Sequence, residues 1–242
     1  MKNESTIEKI KALDKLAEHI NPTVIYNEGW MIRLLVMESI IEKLEIEGIS
    51  FGNVASQNWT SEALIESPFL KAQKYPERHT HPDIIFGDFC VDYAKCGKIT
   101  LKDPPKRLGI IEAKMGSNLS QRTSYAEKYN QASRSICCLS HVTKDKPDCE
   151  IFFIVAAPKK TIEKPIFVKQ IKPENIKKQI EERFQLSSIE YLPGIRGQVE
   201  NCKISTISYE SWIDGLKKND GVEKELNKFY QKCLQHNKIK LL

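Results

Sequence analysis

The chain of 242 residues lacks any apolar run that approaches the length of a membrane span. It also lacks Gly/Ser-rich or Pro-rich linkers, internal repeats and low-complexity segments. We therefore expect a single domain over residues 1–242 and no association with a membrane. Because residues 1–6 lead directly into an amphipathic pattern, we expect a cytoplasmic protein.

A pairing pattern among the cysteines is absent as well. The chain has seven cysteines, an odd number, and no Cys-x-x-Cys pair, which argues against a disulfide framework and a structural zinc site. The segment His79-Thr80-His81 places two imidazoles at alternate positions. We favour a strand leading into Asp83 over a metal-binding histidine pair, because metal sites are recognised by fuller clusters.

Charge of one sign does not dominate the composition. Lys and Arg number 37 against 32 Asp and Glu, for a net charge of +5 and a pI near 8.7. This balance permits nucleic-acid binding without requiring it. No helicase motif and no separate DNA-recognition module are visible in the sequence.

Hydrophobic periodicity predicts an α/β fold with a central mixed sheet and helices on both sides. A capping box at Ser5 and Glu8 begins an amphipathic helix, and residues 28–47 carry the broad apolar stripe of a buried helix. Residues 51–70 are interpreted as a loop with room for one poorly marked strand. The elements expected next are strands 81–86 and 108–114, joined by a connection at 95–107 with a strand-like tip at 99–101. A helix at 124–141 and a strand at 150–157 are expected after them. The last expected elements are a helix at 175–184, a strand at 203–208, and helices at 211–216 and 222–235.

The order of these elements also predicts how the strands pair. Antiparallel pairing of strands 81–86 and 108–114 would bring Asp83 and Glu112 together. Residues 150–157 are almost wholly apolar, and the preceding crossover helix implies that this strand pairs in parallel. The expected organisation is N-terminal helices at 1–50, a core at 80–157, and C-terminal helices with the last strand at 170–242.

Charged residues on otherwise apolar strands are the most informative feature of the chain. Asp83 follows a proline at the beginning of one strand, and Glu112-Ala113-Lys114 ends the next. Burying carboxylates is unfavourable unless a divalent cation or another group compensates. The period of a strand puts Glu112 and Lys114 on one face. The alternatives are an exposed ion pair between these two residues and a Pro-Asp turn at Asp83.

The order Pro82-Asp83 followed by Glu112-x-Lys114 resembles the PD-(D/E)XK nuclease superfamily. The resemblance implies a restriction-endonuclease-like core that hydrolyses phosphodiester bonds, with Asp83, Glu112 and Lys114 as catalytic residues. It also implies Mg²⁺, for which Mn²⁺ can substitute, held by Asp83, Glu112 and the Ala113 carbonyl. The gap between the two halves of the motif is longer than in compact members, which requires an inserted hairpin.

The superfamily often supplies a further acidic ligand from the helix before the sheet, and Glu28 is our candidate. The alternative is that Asn27 caps this helix while Glu28 interacts with the helix dipole. Glu38, on the same helix, is a weaker candidate for the ligand.

Contacts to the nucleic-acid backbone are expected after Lys114. Gln131 and Arg134 lie one helical turn apart and resemble a pair that grips a phosphate, with a polar helix face as the alternative. Loop residues expected to contribute hydrogen bonds are Ser117, Ser120 and Gln121. The basic residues expected along a phosphate groove lie between the motif strands and after strand 150–157: Lys95, Lys98, Lys102, Lys106, Arg107, Lys159 and Lys160. For the lysines from Lys169 onward, solvated surface is the favoured interpretation.

These patterns favour a metal-dependent DNA nuclease, of the kind used in restriction, phage defence or repair. A nucleic-acid-binding protein of the same fold without catalysis is one alternative, and a partner-binding α/β protein with an accidental motif is another. A site released from catalysis has no reason to keep buried like charges, which favours the nuclease. A homodimer is suggested by analogy, because cutting both strands of a duplex generally takes two active sites.

Overall fold

The computed structural model describes residues 5–51, 59–119, 121–123, 126–216 and 221–237. In these ranges the strands are β1 (Glu45–Ile46), β2 (Ile49–Ser50), β3 (Trp59–Thr60), β4 (Ile65–Glu66), β5 (His79–Thr80), β6 (Ile84–Gly87), β7 (Phe89–Asp92), β8 (Lys98–Leu101), β9 (Arg107–Ala113), β10 (Gln121–Thr123), β11 (Ala126–Asn130), β12 (Glu150–Ala157) and β13 (Lys203–Ser208). The helices are α1 (Thr6–Ala17), α2 (Glu28–Ile41), α3 (Gln131–Val142), α4 (Lys159–Ile162), α5 (Pro165–Gln170), α6 (Pro173–Ser187), α7 (Pro193–Asn201), α8 (Tyr209–Gly215) and α9 (Val222–His236).

Five strands form the central sheet, in the order β13-β12-β9-β6-β3. Strands β13, β12 and β9 run parallel, whereas β6 pairs antiparallel with β9 and β3 pairs antiparallel with β6. The mixed sheet, the antiparallel motif strands and the parallel pairing of β12 are therefore confirmed. The remaining strands form two-stranded hairpin-like pairs outside this sheet.

Helices cover both faces of the sheet. Residues of α1, α2, α8 and α9 share one core cluster with one set of sheet side chains, and residues of α3, α6 and α7 share a second cluster with the opposite set. The N- and C-terminal helices pack together, with Lys232 Nζ 2.7 Å from Asp14 Oδ2 and Trp212 Nε1 donating a hydrogen bond to Ser39 Oγ at 2.8 Å. Among the described residues, no helix combines the length and the apolar character that crossing a bilayer needs.

Two helix boundaries differ from the prediction by more than three residues. The helix expected over residues 28–47 ends at Ile41, because Lys43 and Glu47 have positive φ angles of 54° and 50° and the chain turns into the β1–β2 hairpin. The helix expected over residues 124–141 begins only at Gln131, since Asn130 caps it by accepting a hydrogen bond from the Ser133 backbone.

Residues 51–70, where one poorly marked strand was expected, contain two: β3, at the edge of the central sheet, and β4, which pairs with β5 outside it. The poorly marked strand of the central sheet is β3. It is two residues long, too short for any periodicity to be visible in the sequence. The strand-like tip at residues 99–101 is part of β8, which pairs with β7 and forms the inserted hairpin between the motif strands. Residues 52–58 lie outside the described residues.

Candidate functional site

The predicted site lies where the parallel strands β9, β12 and β13 have their carboxyl ends. The edge of the sheet here means this row of strand ends and not an outermost strand. Because β6 runs in the opposite direction, its beginning lies at this same edge. The register pairs Ile84 with Ile111, so Asp83 lies directly opposite Glu112. Strand alternation places both residues on the face covered by α3, the face to which Ile85 and Ile110 also belong.

Asp83 and Glu112 are held by hydrogen bonds. Asp83 Oδ2 accepts a hydrogen bond from the Ala113 backbone N–H at 2.8 Å. Glu112 is 1% exposed, and its two carboxylate oxygens accept hydrogen bonds from Gln131 Nε2 at 2.7 Å and Ser135 Oγ at 2.9 Å. The two donors are neutral, so they orient the Glu112 carboxylate without supplying a positive charge.

This environment favours the protonated form of Glu112. Burial, followed by the neighbouring charge of Asp83, raises the pKa of Glu112 to about 8. Lys114 and the hydrogen bond from Ser135 act in the opposite direction but do not compensate. A positive charge between the two carboxylates would favour the ionised form, which is the condition under which a divalent cation binds strongly.

Lys114 follows β9 on the same face as Glu112. Its backbone N–H donates to the Ala156 carbonyl at 2.8 Å, which continues the pairing with β12 beyond the end of β9. The side chain is partly exposed and lies close enough to lower the pKa of Glu112. The predicted convergence of Asp83, Glu112 and Lys114 is present in the structure.

The oxygen atoms of Asp83, Glu112 and the neighbouring backbone are the kind of ligand that a hard divalent cation prefers. Within the described ranges, no group of three or more His, Cys, Asp or Glu side chains is arranged to hold a metal. A cation at Asp83 and Glu112 would therefore complete its coordination with backbone carbonyl oxygen, such as that of Ala113, and with water, as Mg²⁺ commonly does. Each Glu112 oxygen retains a lone pair beyond the hydrogen bond it accepts.

A third carboxylate at this edge was missed by sequence reasoning. Glu62 follows β3, whose carboxyl end lies beside the beginning of β6, and its backbone N–H donates to the Pro82 carbonyl at 3.1 Å. Burial and then the charge of Asp83 raise the pKa of Glu62, and Arg33 opposes this shift from 3.5 Å. Because β3 is only two residues long, the sequence shows no strand period that would place Glu62 beside Asp83.

Glu28 begins α2 on the opposite face of the sheet from Glu112. Asn27 caps this helix, as the alternative interpretation expected, by accepting a hydrogen bond from the Trp30 backbone at 3.0 Å. Burial raises the pKa of Tyr209, and the charges of Glu28 and Asp83 add to this shift. Glu28 thus lies within electrostatic reach of the site, and its role as a ligand stays a prediction.

Gln131 and Arg134, expected to grip phosphate together, contact different groups. Gln131 donates to Glu112, as described above. Arg134 Nη2 donates to the His79 carbonyl at 2.6 Å, and its Nε lies 3.3 Å from the buried carboxylate of Glu77. In this arrangement Arg134 ties α3 to β5, and the structure does not bring it to Glu112.

The basic residues expected along one groove lie at opposite ends of the strands of the central sheet. Arg107 begins β9, five residues or about 17 Å of extended chain from Glu112, and Lys106 precedes it. The backbone N–H groups of both residues donate to Asp88 Oδ2. Lys159 and Lys160 instead follow β12 at the edge that carries Glu112.

Two further expectations concern polar residues around the motif. Ser117 is exposed in the loop after Lys114, whereas Ser120 and the side chain of Gln121 lie outside the described residues. His79 belongs to β5, outside the central sheet, and burial lowers its pKa. Within the described ranges, His79 and His81 join no group of three or more metal-ligating side chains.

Comparison with known proteins adds no relative. No family model, no curated protein and no solved structure matches the chain. Its class is therefore defined by the fold: an α/β protein with a central five-stranded mixed sheet, flanking helices, and N- and C-terminal helices packed together.

Proposed function

We propose that the protein is a metal-dependent nuclease that hydrolyses phosphodiester bonds in DNA, built on a restriction-endonuclease-like core of the PD-(D/E)XK type. The observation that carries this proposal is the position of Asp83 directly opposite Glu112, with Lys114 on the same strand face at the edge of the sheet. The raised pKa of Glu112 supports it, because a buried carboxylate beside a second one is unfavourable without a counter-charge.

Asp83, Glu112 and the Ala113 carbonyl would hold Mg²⁺ in this proposal. When bound, the cation polarises a phosphoryl oxygen and acidifies the attacking water. Gln131 and Ser135 hold the Glu112 carboxylate in one orientation. Cation binding favours release of the proton from Glu112, so cleavage at low Mg²⁺ should increase as pH rises towards about 8.

Lys114 supplies the positive charge on the protein side of the reaction. Its ammonium would stabilise the negative charge that develops on the phosphate in the transition state. Because the group is partly exposed, its removal should affect the rate far more than the stability of the fold.

The decisive experiment is a cleavage assay on supercoiled plasmid, linear duplex DNA, single-stranded DNA and RNA, with Mg²⁺, Mn²⁺ or EDTA. The isosteric variants Asp83→Asn and Glu112→Gln, together with Lys114→Gln, should each lose at least about 100-fold in rate. The control Lys224→Gln removes an exposed positive charge from α9, which packs on the other face, and should cut at the wild-type rate.

Metal-dependent cleavage that is lost in the three site variants and kept in the control would support the nuclease. Activity retained in any two of the site variants would exclude the assigned site. Metal-independent binding of the same nucleic acids without cleavage would favour the catalytically silent member of the fold.

A further inference from the structure

A cavity with several polar lining residues adjoins the beginning of α3. Its volume is about 490 Å³, within the range of roughly 300–1,000 Å³ found for small-molecule sites, and it lies between β11, α5 and the first turns of α6. Asn130 lines it, and the next residue in the chain, Gln131, donates to Glu112. The cavity and the carboxylate pair are therefore joined through the beginning of α3.

The wall of the cavity is positively charged. Lys128, Lys169 and Lys178 line it from three different elements, with Glu182 as the acidic lining residue. Glu182 lies 3.9 Å from Lys178, at the limit of an ion pair. The three lysines favour binding of a phosphate.

Gln170, one of the lining residues, has a buried side-chain acceptor that lacks a partner among the described residues. Gln170 is 5% exposed, and its Nε2 donates to the Leu119 carbonyl at 2.9 Å. This bond fixes which end of the amide is the nitrogen, so the other end is the oxygen. Within the part of the chain that the structure describes, Gln170 Oε1 accepts no hydrogen bond. A buried acceptor of this kind needs an N–H or O–H donor.

Donor and apolar groups complete the lining. Gln179 Oε1 accepts hydrogen bonds from the Asn130 backbone at 3.0 Å and from Ser133 Oγ at 2.8 Å, which leaves the Nε2 amide of Gln179 available as a donor. Ile166, which is 46% exposed, contributes an apolar side chain to the lining.

We propose that this cavity binds one nucleotide of the nucleic-acid strand that is cut at Asp83 and Glu112. The phosphate contacts Lys128, Lys169 and Lys178, the base packs on Ile166, and the Nε2 amide of Gln179 donates to an acceptor of the base or sugar. This inference rests on the proposed function and deepens it, because the cavity holds the strand on one side of the scissile phosphate.

The test is equilibrium binding of fluorescent single-stranded and duplex DNA, in a Glu112→Gln background that prevents cleavage. The double variant Lys128→Gln/Lys169→Gln is compared with Lys164→Gln/Lys177→Gln, which removes the same charge from an exposed position just before α5 and another on α6, both outside the cavity. Binding of dAMP and of inorganic phosphate is measured in parallel.

The cavity variant should bind DNA about tenfold more weakly than the control variant. The slope of log Kd against log salt should decrease by about 1.4–1.8, which corresponds to the loss of two phosphate contacts. Binding of dAMP stronger than that of phosphate would indicate that the base is contacted as well.

The outcomes separate this inference from the nuclease assignment. Equal DNA binding by the cavity and control variants would overturn the proposal that the cavity binds a nucleotide of the strand. This holds even if Glu112→Gln abolishes cleavage in the parental protein. If the protein neither cuts nor binds any nucleic acid, the nuclease assignment fails. In that case, dAMP binding lost in the cavity variant would identify a site for free nucleotides, and absence of dAMP binding would refute the cavity entirely.

Discussion

Replacing Glu112 with glutamine should stabilise the fold at alkaline pH while it removes the proposed activity. The wild-type carboxylate is buried beside Asp83, and its pKa is raised from 4.5 to about 8. A shift of this size corresponds to about 5 kcal/mol between the protonated and ionised forms, as an upper limit. Glutamine keeps the shape of the protonated acid and carries no charge at any pH.

The sign of the effect follows from where the proton is bound. Between pH 4.5 and about 8, folded Glu112 keeps a proton that the unfolded chain releases. The free energy of unfolding of the wild type therefore decreases as pH rises through this window, and the contribution of this group is constant below and above it. The variant lacks this decrease, so its advantage over the wild type grows with pH.

Hydrogen bonding at the site should survive the substitution. Gln131 Nε2 can donate to the new amide oxygen, while the Ser135 hydroxyl rotates to accept from the new amide nitrogen. The remaining charged groups beside Glu112 are Asp83 and Lys114, and both are unchanged in the variant. We expect a net gain of about 2 kcal/mol or more at pH 8.5.

The measurement is urea unfolding at pH 5 and pH 8.5 in EDTA, followed by the fluorescence of tryptophan, since Trp212 is buried. The control Glu163→Gln changes an exposed carboxylate at the end of α4 and should follow the wild type at both values. Parallel pH dependence of the wild type and Glu112→Gln would refute the reasoning. Adding Mg²⁺ at pH 8.5 should stabilise the wild type and leave Glu112→Gln unaffected.

Three further predictions concern residues around the same strands. Asp83→Asn removes the neighbouring charge and should lower the pKa of Glu112, so in the urea titration the loss of stability with pH should end at a lower pH and be smaller in total than in the wild type. Gly109→Ala would place a methyl group 2.1 Å from Cζ of the buried Phe86, and we expect a loss of about 1–3 kcal/mol in thermal or urea unfolding. Gly197 lies within α7, and a Cβ added there would meet no neighbouring atom within 4 Å. Gly197→Ala should therefore stabilise the fold by about 0.5–1 kcal/mol, and a loss of stability would contradict the open space at this position.

The longest elements were predictable from the sequence because they carry either a continuous apolar run or a helical period. Strands β9 and β12 are apolar runs that the structure buries on both faces, and helices α6 and α9 show a helical period. The facing positions of Asp83 and Glu112 follow from pairing β6 with β9, whereas α7, which is nine residues long, was not predicted. The restriction-endonuclease-like identity of the core stays a prediction.

The parts that could not be predicted depend on very short elements and on direction. Glu62 reaches the site through a two-residue strand, which has no period to detect. The role of Gln131 at Glu112 depends on where α3 begins, and this is set by the Asn130 cap. Lys106 and Arg107 are near Glu112 in sequence, but they lie at the beginning of β9 and Glu112 lies near its end. The pattern of charges in the sequence does not show this separation along the extended strand.

The packing of α2 against α9 has a consequence for synthesis of the protein. The apolar residues Met31, Leu34 and Leu35 are fully buried in a cluster that includes Leu226 and Phe229. About 195 residues separate the end of α2 from the end of α9, which at roughly 5–20 residues per second takes on the order of 10–40 s to translate. During that interval α2 lacks its final cover on the ribosome, so this helix is the segment that we expect a holdase chaperone to bind first.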